Sequence, residues 1–373
     1  MRIIIASISF CEYVIQQANA LTDLGHNVLL VLPTQLVNNT VGADMNEFIA
    51  CGVECYTYEI KRRWERSFYT SLFKTISAFS PEILHIHDNG EIETLALVAR
   101  FHRLPMVVTV HDVTTHPGAD SHHKLRRRLI KQILRRRASV IHLHGDVLRE
   151  KLATISPTLA RKSVIIPHGT LSLFKQWESI PVEREPLTCL FFGRMEKYRG
   201  LDNLLKVGRI LKEYFPGIKI VVAGRGSELE KYKMEMDTLD IFEIHDAFIP
   251  NTDVYRFFRR ASLLLLPYHE ASQSGVISMS LPFALPVVAT SVGSIPEFIA
   301  DGMQGRLVAP GDIAGFASAV CELLSDTGKL ERMRCECMDL AEKLEFNALA
   351  KDFDSLYEKA VMVGRPGLAG CVL

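Results

Sequence analysis

Short, almost wholly apolar segments alternate with helical patterns along this chain of 373 residues, and this alternation limits its fold more than any other feature. Segments rich in Val, Ile and Leu predict strands at 2–6, 28–32, 83–87, 106–110, 140–144, 188–192, 219–223, 241–245, 263–267 and 287–290. Nearly continuous apolar runs suit strands that are buried on both faces of a parallel sheet. Because the intervening segments have helical spacing, we predict an α/β fold with doubly wound sheets.

A polar segment at 171–186, which contains two prolines, separates the first five predicted strands from the last five. It predicts a linker between two domains, which we place at 1–172 and 187–346. A final helix at about 347–363 is predicted because apolar residues recur there at helical spacing. These residues are Leu349, Phe353, Leu356 and Tyr357. We expect this helix to pack back on the first domain.

The composition narrows the class of protein. The formal net charge is zero and 48% of the residues are hydrophobic, which allows two substantial cores. No apolar run is long enough to cross a bilayer, and the first residues lack a signal-peptide body. The eight cysteines are scattered without zinc-ligand spacing, so reduced thiols and a cytoplasmic location are expected. A neutral chain without a nucleic-acid motif also argues against a nucleic-acid partner.

One segment, KLRRRLIKQILRRR at 124–137, carries eight basic residues. Its apolar residues have helical spacing, so one stripe can face the core or lipid: Leu125, Leu129, Ile130, Ile133 and Leu134. A basic amphipathic helix is typical of proteins that bind an anionic membrane surface. The basic residues of 61–66, with Trp64, can add to this patch. The ordinary alternative is a solvated helix face.

Histidines are concentrated in residues 1–170, which hold eleven of the thirteen. Four lie within predicted strands and are expected to be buried and hydrogen-bonded: His85, His87, His142 and His144. His111 instead follows the strand at 106–110. Open α/β sheets bind ligands at the carboxyl ends of their strands, so His111 is a candidate site residue.

A small, glycine-containing turn, SQSG at 272–275, lies between a predicted strand and an apolar helical segment. Main-chain N–H groups and the helix dipole make such a turn attractive to phosphate, although an ordinary strand–turn–helix connection fits equally well. Gly193 and Arg194 follow one strand and Gly224 and Gly226 follow the next. These glycines can admit a nucleotide or simply form a tight turn.

Six motifs, taken in order, resemble the GT-B nucleotide-sugar glycosyltransferases of the retaining family 4. They are VVTVHD at 107–112, VIIPHGT at 164–170, FFGRMEKYRGLDNLL at 191–205, VVAGRGSEL at 221–229, LLLLPYHEASQSGV at 263–276 and LPVVATSVGSIPEFIADGMQGRLVAPGD at 285–312. The resemblance covers most of the chain and is strongest over 187–320. It implies two Rossmann-like domains facing a central cleft, with the acceptor bound by the first and the nucleotide sugar by the second.

The resemblance also implies the site residues. The catalytic set would be His111, facing the transferred sugar, with Arg194 and Arg199 at the leaving diphosphate; Arg199 stands where the family usually has Lys, and Lys197 is a possible substitute. Guanidinium groups suit a diphosphate because they bind oxygens in pairs. The implied donor-binding residues are Gly193, Gly224, Gly226, Glu270, Ser272, Gln273, Ser274 and Gly275. Asp112 and His116 would lie on the acceptor or sugar side. Neither a metal nor a cofactor is expected beside the nucleotide sugar.

The chain departs from the family pattern at two places. Aligned on 285–288, the positions of the usual paired glutamates hold Ala271 and Met279, so Glu270 is left to take over the first role. Ser7-Ile8-Ser9 replaces the glycine-rich acceptor loop. The expected function is hexose transfer with retention to a glycan acceptor, as a lipid-linked precursor of cell-surface polysaccharide at the inner membrane face. A nucleotide-sugar epimerase and a non-catalytic nucleotide-sugar-binding subunit remain alternatives; an NAD-dependent dehydrogenase is more distant because its fingerprint is absent.

Overall fold

The computed structural model describes residues 1–42, 45–114, 124–272 and 274–364, and it divides into two compact units. The N-terminal domain contains the described residues up to 169 together with the last helix, and the C-terminal domain spans 170–345. Each domain is built on one parallel sheet flanked by helices. The predicted α/β class with doubly wound sheets is therefore confirmed.

The N-terminal sheet has the strand order β3-β2-β1-β4-β5-β6-β7 over the residues described. Its strands are β1 (Arg2–Ala6), β2 (Asn27–Pro33), β3 (Val53–Tyr58), β4 (Ile83–His87), β5 (Met106–Thr109), β6 (Val140–Leu143) and β7 (Ser163–Ile165). Its helices are α1 (Cys11–Asp23), α2 (Thr34–Thr40), α3 (Arg66–Phe79), α4 (Ile92–Arg100), α5 (Lys124–Arg137), α6 (Asp146–Ile155) and α7 (Pro157–Arg161). The order reverses between β1 and β4, which makes that point the favoured ligand position of this sheet.

The C-terminal sheet has the order β10-β9-β8-β11-β12-β13. Its strands are β8 (Thr188–Phe192), β9 (Lys219–Ala223), β10 (Phe242–His245), β11 (Leu263–Leu266), β12 (Val287–Thr290) and β13 (Gly305–Val308). Its helices are α8 (Leu201–Tyr214), α9 (Leu229–Leu239), α10 (Asn251–Arg260), α11 (Gly275–Ser280), α12 (Ile295–Phe298), α13 (Ile313–Ser325) and α14 (Thr327–Lys343). The corresponding switch point of this sheet lies between β8 and β11.

The last helix, α15 (Phe346–Gly364), belongs to the N-terminal domain. Its apolar face is buried, and Phe346 meets the ring of Tyr13 on α1 edge-on, with centroids 4.7 Å apart. The hydroxyl of Tyr357 lies 2.9 Å from Nδ1 of His85 on β4. The chain thus completes its first domain with residues from its carboxyl end.

Candidate functional site

A cavity of about 650 Å³ lies at the switch point of the C-terminal sheet. Its walls come from the segments that follow β8, β9 and β11. The lining residues are Glu196, Lys197, Tyr198, Asp202, Ser227, Glu228, His269 and Glu270. Of the residues predicted for the donor site, Glu270 and Lys197 share this cavity. The other described ones are not part of its lining.

One wall of this cavity contains a histidine–carboxylate pair. Nε2 of His269 lies 2.7 Å from Oδ1 of Asp202. Burial raises the pKa of Asp202, but the bond with His269 and the charges nearby outweigh it, so this pKa lies below its ordinary value. The ionised carboxylate therefore fixes the orientation of the His269 ring.

The two arginines predicted to bind the diphosphate have different environments. The Arg194 side chain is exposed and makes no hydrogen bond or ion pair with any residue of the described chain. In contrast, Nη1 of Arg199 donates to the Phe192 carbonyl and to the Tyr268 hydroxyl, each at 2.8 Å. The guanidinium also lies 5.2 Å from the Tyr268 ring centroid. Arg194 is therefore free to bind an anion, whereas Arg199 is already bonded within the fold.

Gly224 and Gly226 have a role within the fold itself. A Cβ atom at Gly224 would lie 1.8 Å from the carbonyl oxygen of Gly193, and one at Gly226 would lie 2.3 Å from that of Met195. A main-chain hydrogen bond also joins these two turns: the N–H of Met195 donates to the carbonyl of Arg225 at 2.9 Å. These glycines let the turns after β8 and β9 touch. Their contact with a nucleotide stays a prediction.

The backbone of the loop at 267–271 is held by hydrogen bonds to residues outside the loop. The N–H groups of His269 and Glu270 donate to the Tyr198 carbonyl, and the hydroxyl of Thr290 donates to the Tyr268 carbonyl at 2.6 Å. A Cβ atom at Gly293 would lie only 1.6 Å from the Ala271 carbonyl oxygen, so the neighbouring turn presses against this loop. The side chains of Thr290 and Asn203 also hold this backbone, since Nδ2 of Asn203 donates to the Pro267 carbonyl at 3.2 Å.

The positions of the missing glutamates are buried and apolar: Ala271 and Met279 both lie in the core of the C-terminal domain. Ser272 and Ser274 are buried too, whereas Gly275 is exposed at the first residue of α11, with no atom within 4 Å of a Cβ placed there. Gln273 lies outside the described residues. The exposed start of α11 suits the predicted contact with a phosphate, which stays a prediction.

A directional chain of hydrogen bonds crosses the N-terminal sheet. It runs from the Tyr357 hydroxyl to His85, then to Thr109 at 2.7 Å, to His142 at 2.9 Å, and ends at the Ile166 carbonyl. Because that carbonyl can only accept, Nε2 of His142 carries hydrogen and its Nδ1 accepts from Thr109. Since the Thr109 hydroxyl donates to His142, it accepts from Nε2 of His85. His85 therefore carries its hydrogen on Nε2, and its Nδ1 accepts from the Tyr357 hydroxyl. The expectation that His85, His87, His142 and His144 are buried and hydrogen-bonded is confirmed.

His111 lies in a second histidine chain. Its Nε2 is 2.9 Å from Nδ1 of His87, and its Nδ1 is 3.3 Å from Nε2 of His144. The Phe10 ring stacks on His111 with centroids 3.9 Å apart, and Tyr13 contacts it edge-on. Both ring nitrogens of His111 are thus engaged. A sugar hydroxyl can bond to His111 only by displacing His87 or His144, which changes the simple contact expected from the sequence.

Burial keeps these histidines uncharged. It lowers the pKa of His87 to about 3 and those of His142 and His168 to about 4. The pKa values of His85, His111 and His144 also lie well below the ordinary value, first because of burial and then because of neighbouring histidines. The cluster is therefore neutral at physiological pH.

Asp112, predicted for the acceptor or sugar side, is held through its main chain by a residue that the sequence did not single out. Nη2 of Arg135 donates to the Asp112 carbonyl at 2.9 Å and Nη1 donates to the Val113 carbonyl at 3.0 Å. Nε of Arg135 lies 2.6 Å from the buried carboxylate of Asp88. His116 lies outside the described residues.

The basic helix α5 has two different faces. Ile130 and Leu134 are buried in the core, whereas Leu125, Leu129 and Ile133 are 72%, 51% and 49% exposed. The predicted single apolar stripe is thus two stripes. Several of its cations bond within the domain: Arg126, Arg127, Arg135 and Arg137. Of the helices described, none is both long and apolar enough to span a bilayer.

Two protein-family models match the chain, one on each domain. "Glycosyl transferase 4-like domain" matches residues 12–169, and "Glycosyl transferases group 1" matches residues 186–326. The phosphatidyl-myo-inositol mannosyltransferase of Mycolicibacterium smegmatis is 25% identical over 336 residues, covering 84% of this chain and 81% of that protein. The glycogen synthase of Mycobacterium tuberculosis is 24% identical over 269 residues, which cover 69% of this chain but only 64% of that protein's length.

Solved structures show the same fold at low identity. Sucrose-phosphate synthase from Thermosynechococcus elongatus has a TM-score of 0.70 at 14% identity, covering 96% of this chain and 98% of that one. HepE from Anabaena, in complex with UDP and glucose, has a TM-score of 0.68 at 16% identity, covering 95% and 99%. Both domains are thus matched, in family and in fold. The chain belongs to the GT-B glycosyltransferases of the family 4 type.

Proposed function

We propose that this protein moves a hexose from a nucleotide diphosphate sugar to a glycan acceptor with retention of anomeric configuration. The observation that carries the proposal is the cavity at the β8/β11 switch point, with Glu270 in its wall and, in the adjoining turn, Arg194, which has no partner in the described part of the chain. Ligands of doubly wound sheets bind at such points. HepE, which was solved with UDP and glucose, supports a donor of this class.

In the proposed mechanism the protein stabilises the leaving diphosphate electrostatically. Arg194 and main-chain N–H groups near Gly275 face the charge that develops as the glycosidic bond breaks. The acceptor hydroxyl attacks on the face of the leaving group, its oxygen forms the new glycosidic bond, and the departing phosphate takes its proton. Fixed cations then serve in place of a metal ion, and no cofactor takes part.

Replacing Arg194 by Ala should lower kcat/KM for the donor about 10- to 100-fold, because a hydrogen bond to a charged group contributes about 1.5–3 kcal/mol. The protein should keep its thermal stability, since Arg194 has no partner among the described residues. Arg332→Ala, an exposed arginine on α14, is the matched control and should change neither quantity. Unchanged donor kinetics in the Arg194 variant would remove this residue from the site.

The proposed reaction itself is tested with UDP-, GDP- and ADP-hexoses. We expect one class of donor to raise the melting temperature and to be turned over with an acceptor into a product of unchanged anomeric configuration, read by NMR. An inverted product rejects retention, and epimerised donor without acceptor indicates the epimerase. The buried Ala271 and Met279 favour a second candidate, a non-catalytic binder, which donor binding without transfer to any acceptor would support.

We also propose that the protein acts on lipid-linked precursors of cell-surface polysaccharide, peripherally at the inner face of the membrane. The exposed face of α5 supports this, because apolar Leu129 and Ile133 stand beside the exposed cation Arg136. Such a face combines apolar burial with attraction to anionic lipid.

Replacing both Leu129 and Ile133 by Ser should weaken binding to phosphatidylglycerol vesicles about tenfold or more, because each exposed apolar side chain that inserts contributes on the order of 1 kcal/mol. Cosedimentation measures this. Ile180→Ser, which alters an exposed apolar residue of the C-terminal domain, is the control. Full vesicle binding by the double variant would mean that another surface meets the membrane.

A further inference from the structure

The N-terminal domain contains a second cavity, of about 570 Å³, beside α5. The residues after β5, the outer side of α5 and the end of α6 form its walls. Cationic side chains come from Arg128, Lys131 and Arg135, and apolar ones from Val113, Leu125 and Ile155. Within the described ranges no acidic residue lines it.

The charges of this cavity are only partly balanced. Arg135 is buried and paired with Asp88 at 2.6 Å. Arg128 and Lys131 form no ion pair or hydrogen bond with the residues described, although they are neighbours one turn apart on α5. Like charges at this spacing repel each other, so an anion bound between them reduces this electrostatic repulsion.

The rim of the cavity is apolar and faces solvent. Leu125 is 72% exposed and Ile155 is 55% exposed, and both line the cavity. Leu129 and Ile133 continue an exposed apolar strip along the same helix. A small inorganic anion would leave these side chains in water. The combined surface therefore suits an anionic group joined to a hydrocarbon chain.

The cavity adjoins the predicted sugar-side residues. Its lining residues Val113 and Thr114 directly follow His111 and Asp112 in the chain. Lys131 is close enough for its charge to act on His111. A ligand in this cavity thus lies next to the segment that carries the candidate sugar contacts.

We propose that this cavity binds the phosphate group of an amphiphilic acceptor, with Arg128 and Lys131 as its cationic partners and Leu125 and Ile155 against its hydrocarbon chain. The ligand is of the class of glycans linked to a long-chain alkyl or polyprenyl phosphate, and the glycan supplies the hydroxyl that accepts the hexose. Its role as acceptor rests on the proposed transferase function, whereas its binding does not.

The probe is dodecyl phosphate below its micelle concentration, compared by calorimetry with inorganic phosphate and with a neutral dodecyl ether. We expect dodecyl phosphate to bind at least tenfold more tightly than either. Equal affinity for inorganic phosphate would overturn the proposal in favour of a simple anion site. Equal affinity for the neutral ether would overturn it in favour of an apolar surface.

Variants separate the cavity from the helix surface around it. Arg128→Gln combined with Lys131→Gln should weaken dodecyl phosphate binding at least tenfold, and Leu125→Ser with Ile155→Ser should remove the advantage over inorganic phosphate. Arg103→Gln is the matched control, since Arg103 is exposed in the same domain but does not line the cavity. An equal loss in the Arg103 variant overturns the proposal. Thermal unfolding of each variant confirms that it is folded.

Two measurements on the wild-type protein distinguish failure of the proposed cavity ligand from failure of the proposed transferase activity. Release of nucleoside diphosphate from the sugar donor tests the transferase, while dodecyl phosphate binding tests the cavity. Donor turnover without dodecyl phosphate binding rejects the cavity alone. Dodecyl phosphate binding without any donor turnover keeps the site and rejects its role for an acceptor.

Discussion

Acidification from pH 7.5 to pH 5 should destabilise the N-terminal domain while the C-terminal domain remains folded. The cause is the cluster of six buried histidines: His85, His87, His111, His142, His144 and His168. All six have pKa values lowered in the fold, first by burial. In the unfolded chain they return to about 6.5.

The sign of the change in the free energy of unfolding with pH follows from which state, folded or unfolded, binds more protons. Below pH 6.5 the unfolded chain takes up protons that the folded domain excludes, so the stabilising effect is complete above pH 6.5 and is lost as pH falls. Each such histidine lowers the free energy of unfolding by about 1.4 kcal/mol per pH unit until its folded pKa is reached. His87, His142 and His168 together therefore remove about 4 kcal/mol per pH unit between pH 6.5 and pH 4.

The C-terminal domain responds at lower pH. Its two histidines, His245 and His269, are partly exposed, and each lies 2.7 Å from a carboxylate. The bond from Arg260 lowers the pKa of Glu243 to about 2, so the stability that this pair contributes is lost only as pH falls below the unfolded carboxyl value of about 4.3.

Hydrogen exchange with mass spectrometry, corrected for the intrinsic rate at each pH, separates the two domains. Peptides that contain β4 and β6 should lose protection between pH 7.5 and pH 5, while peptides that contain β8 and β11 keep it. Equal loss in both domains, or full protection of β4 at pH 5, would contradict the role assigned to the histidines.

Replacing Arg135 by Met should lower the free energy of unfolding by about 3–5 kcal/mol, the usual cost of breaking a buried ion pair. The variant leaves the fully buried carboxylate of Asp88 without its cation and two carbonyl groups, of Asp112 and Val113, without their donor. Urea unfolding measures the loss. Arg135→Lys should be intermediate, because Lys keeps the charge but cannot reach three acceptors.

A double-mutant cycle shows whether the loss comes from the pair. Adding Asp88→Asn to Arg135→Met removes the unpaired charge, so the double variant should recover part of the stability lost by the single one. Arg136→Met, next along α5 and exposed, should stay within about 0.5 kcal/mol of wild type. A loss below 1 kcal/mol in Arg135→Met would mean that solvent reaches Asp88.

The strands that the sequence predicted are buried along most of their length, except β10, a partly buried edge strand. Five of the predicted ranges coincide with β1, β4, β8, β9 and β12, and the other five differ by one residue at one or both ends. Three strands were not predicted: β3, β7 and β13. All three are at sheet edges and are only partly buried, so they lack the continuous apolar run on which the prediction depended.

The site was less predictable because it depends on which partner each charged group finds. The spacing of α5 predicted an amphipathic helix, but no local pattern shows that Arg135 turns inward to Asp88, 47 residues away. The same limit applies to Arg199. It shares its sequence motif and its guanidinium group with Arg194, but it is bonded to Tyr268, 69 residues away. Long-range pairing of this kind is invisible to periodicity.

The backbone of the loop that follows β11 is held by hydrogen bonds to Tyr198, Thr290 and Asn203 and by the close approach of Gly293. Its outward side chains, such as Glu270, are therefore not needed to hold it in place. Substitutions at such positions can alter which sugar is accepted while the frame stays unchanged. A homologous chain with another residue at this point would be expected to differ in donor preference without any rearrangement of its scaffold.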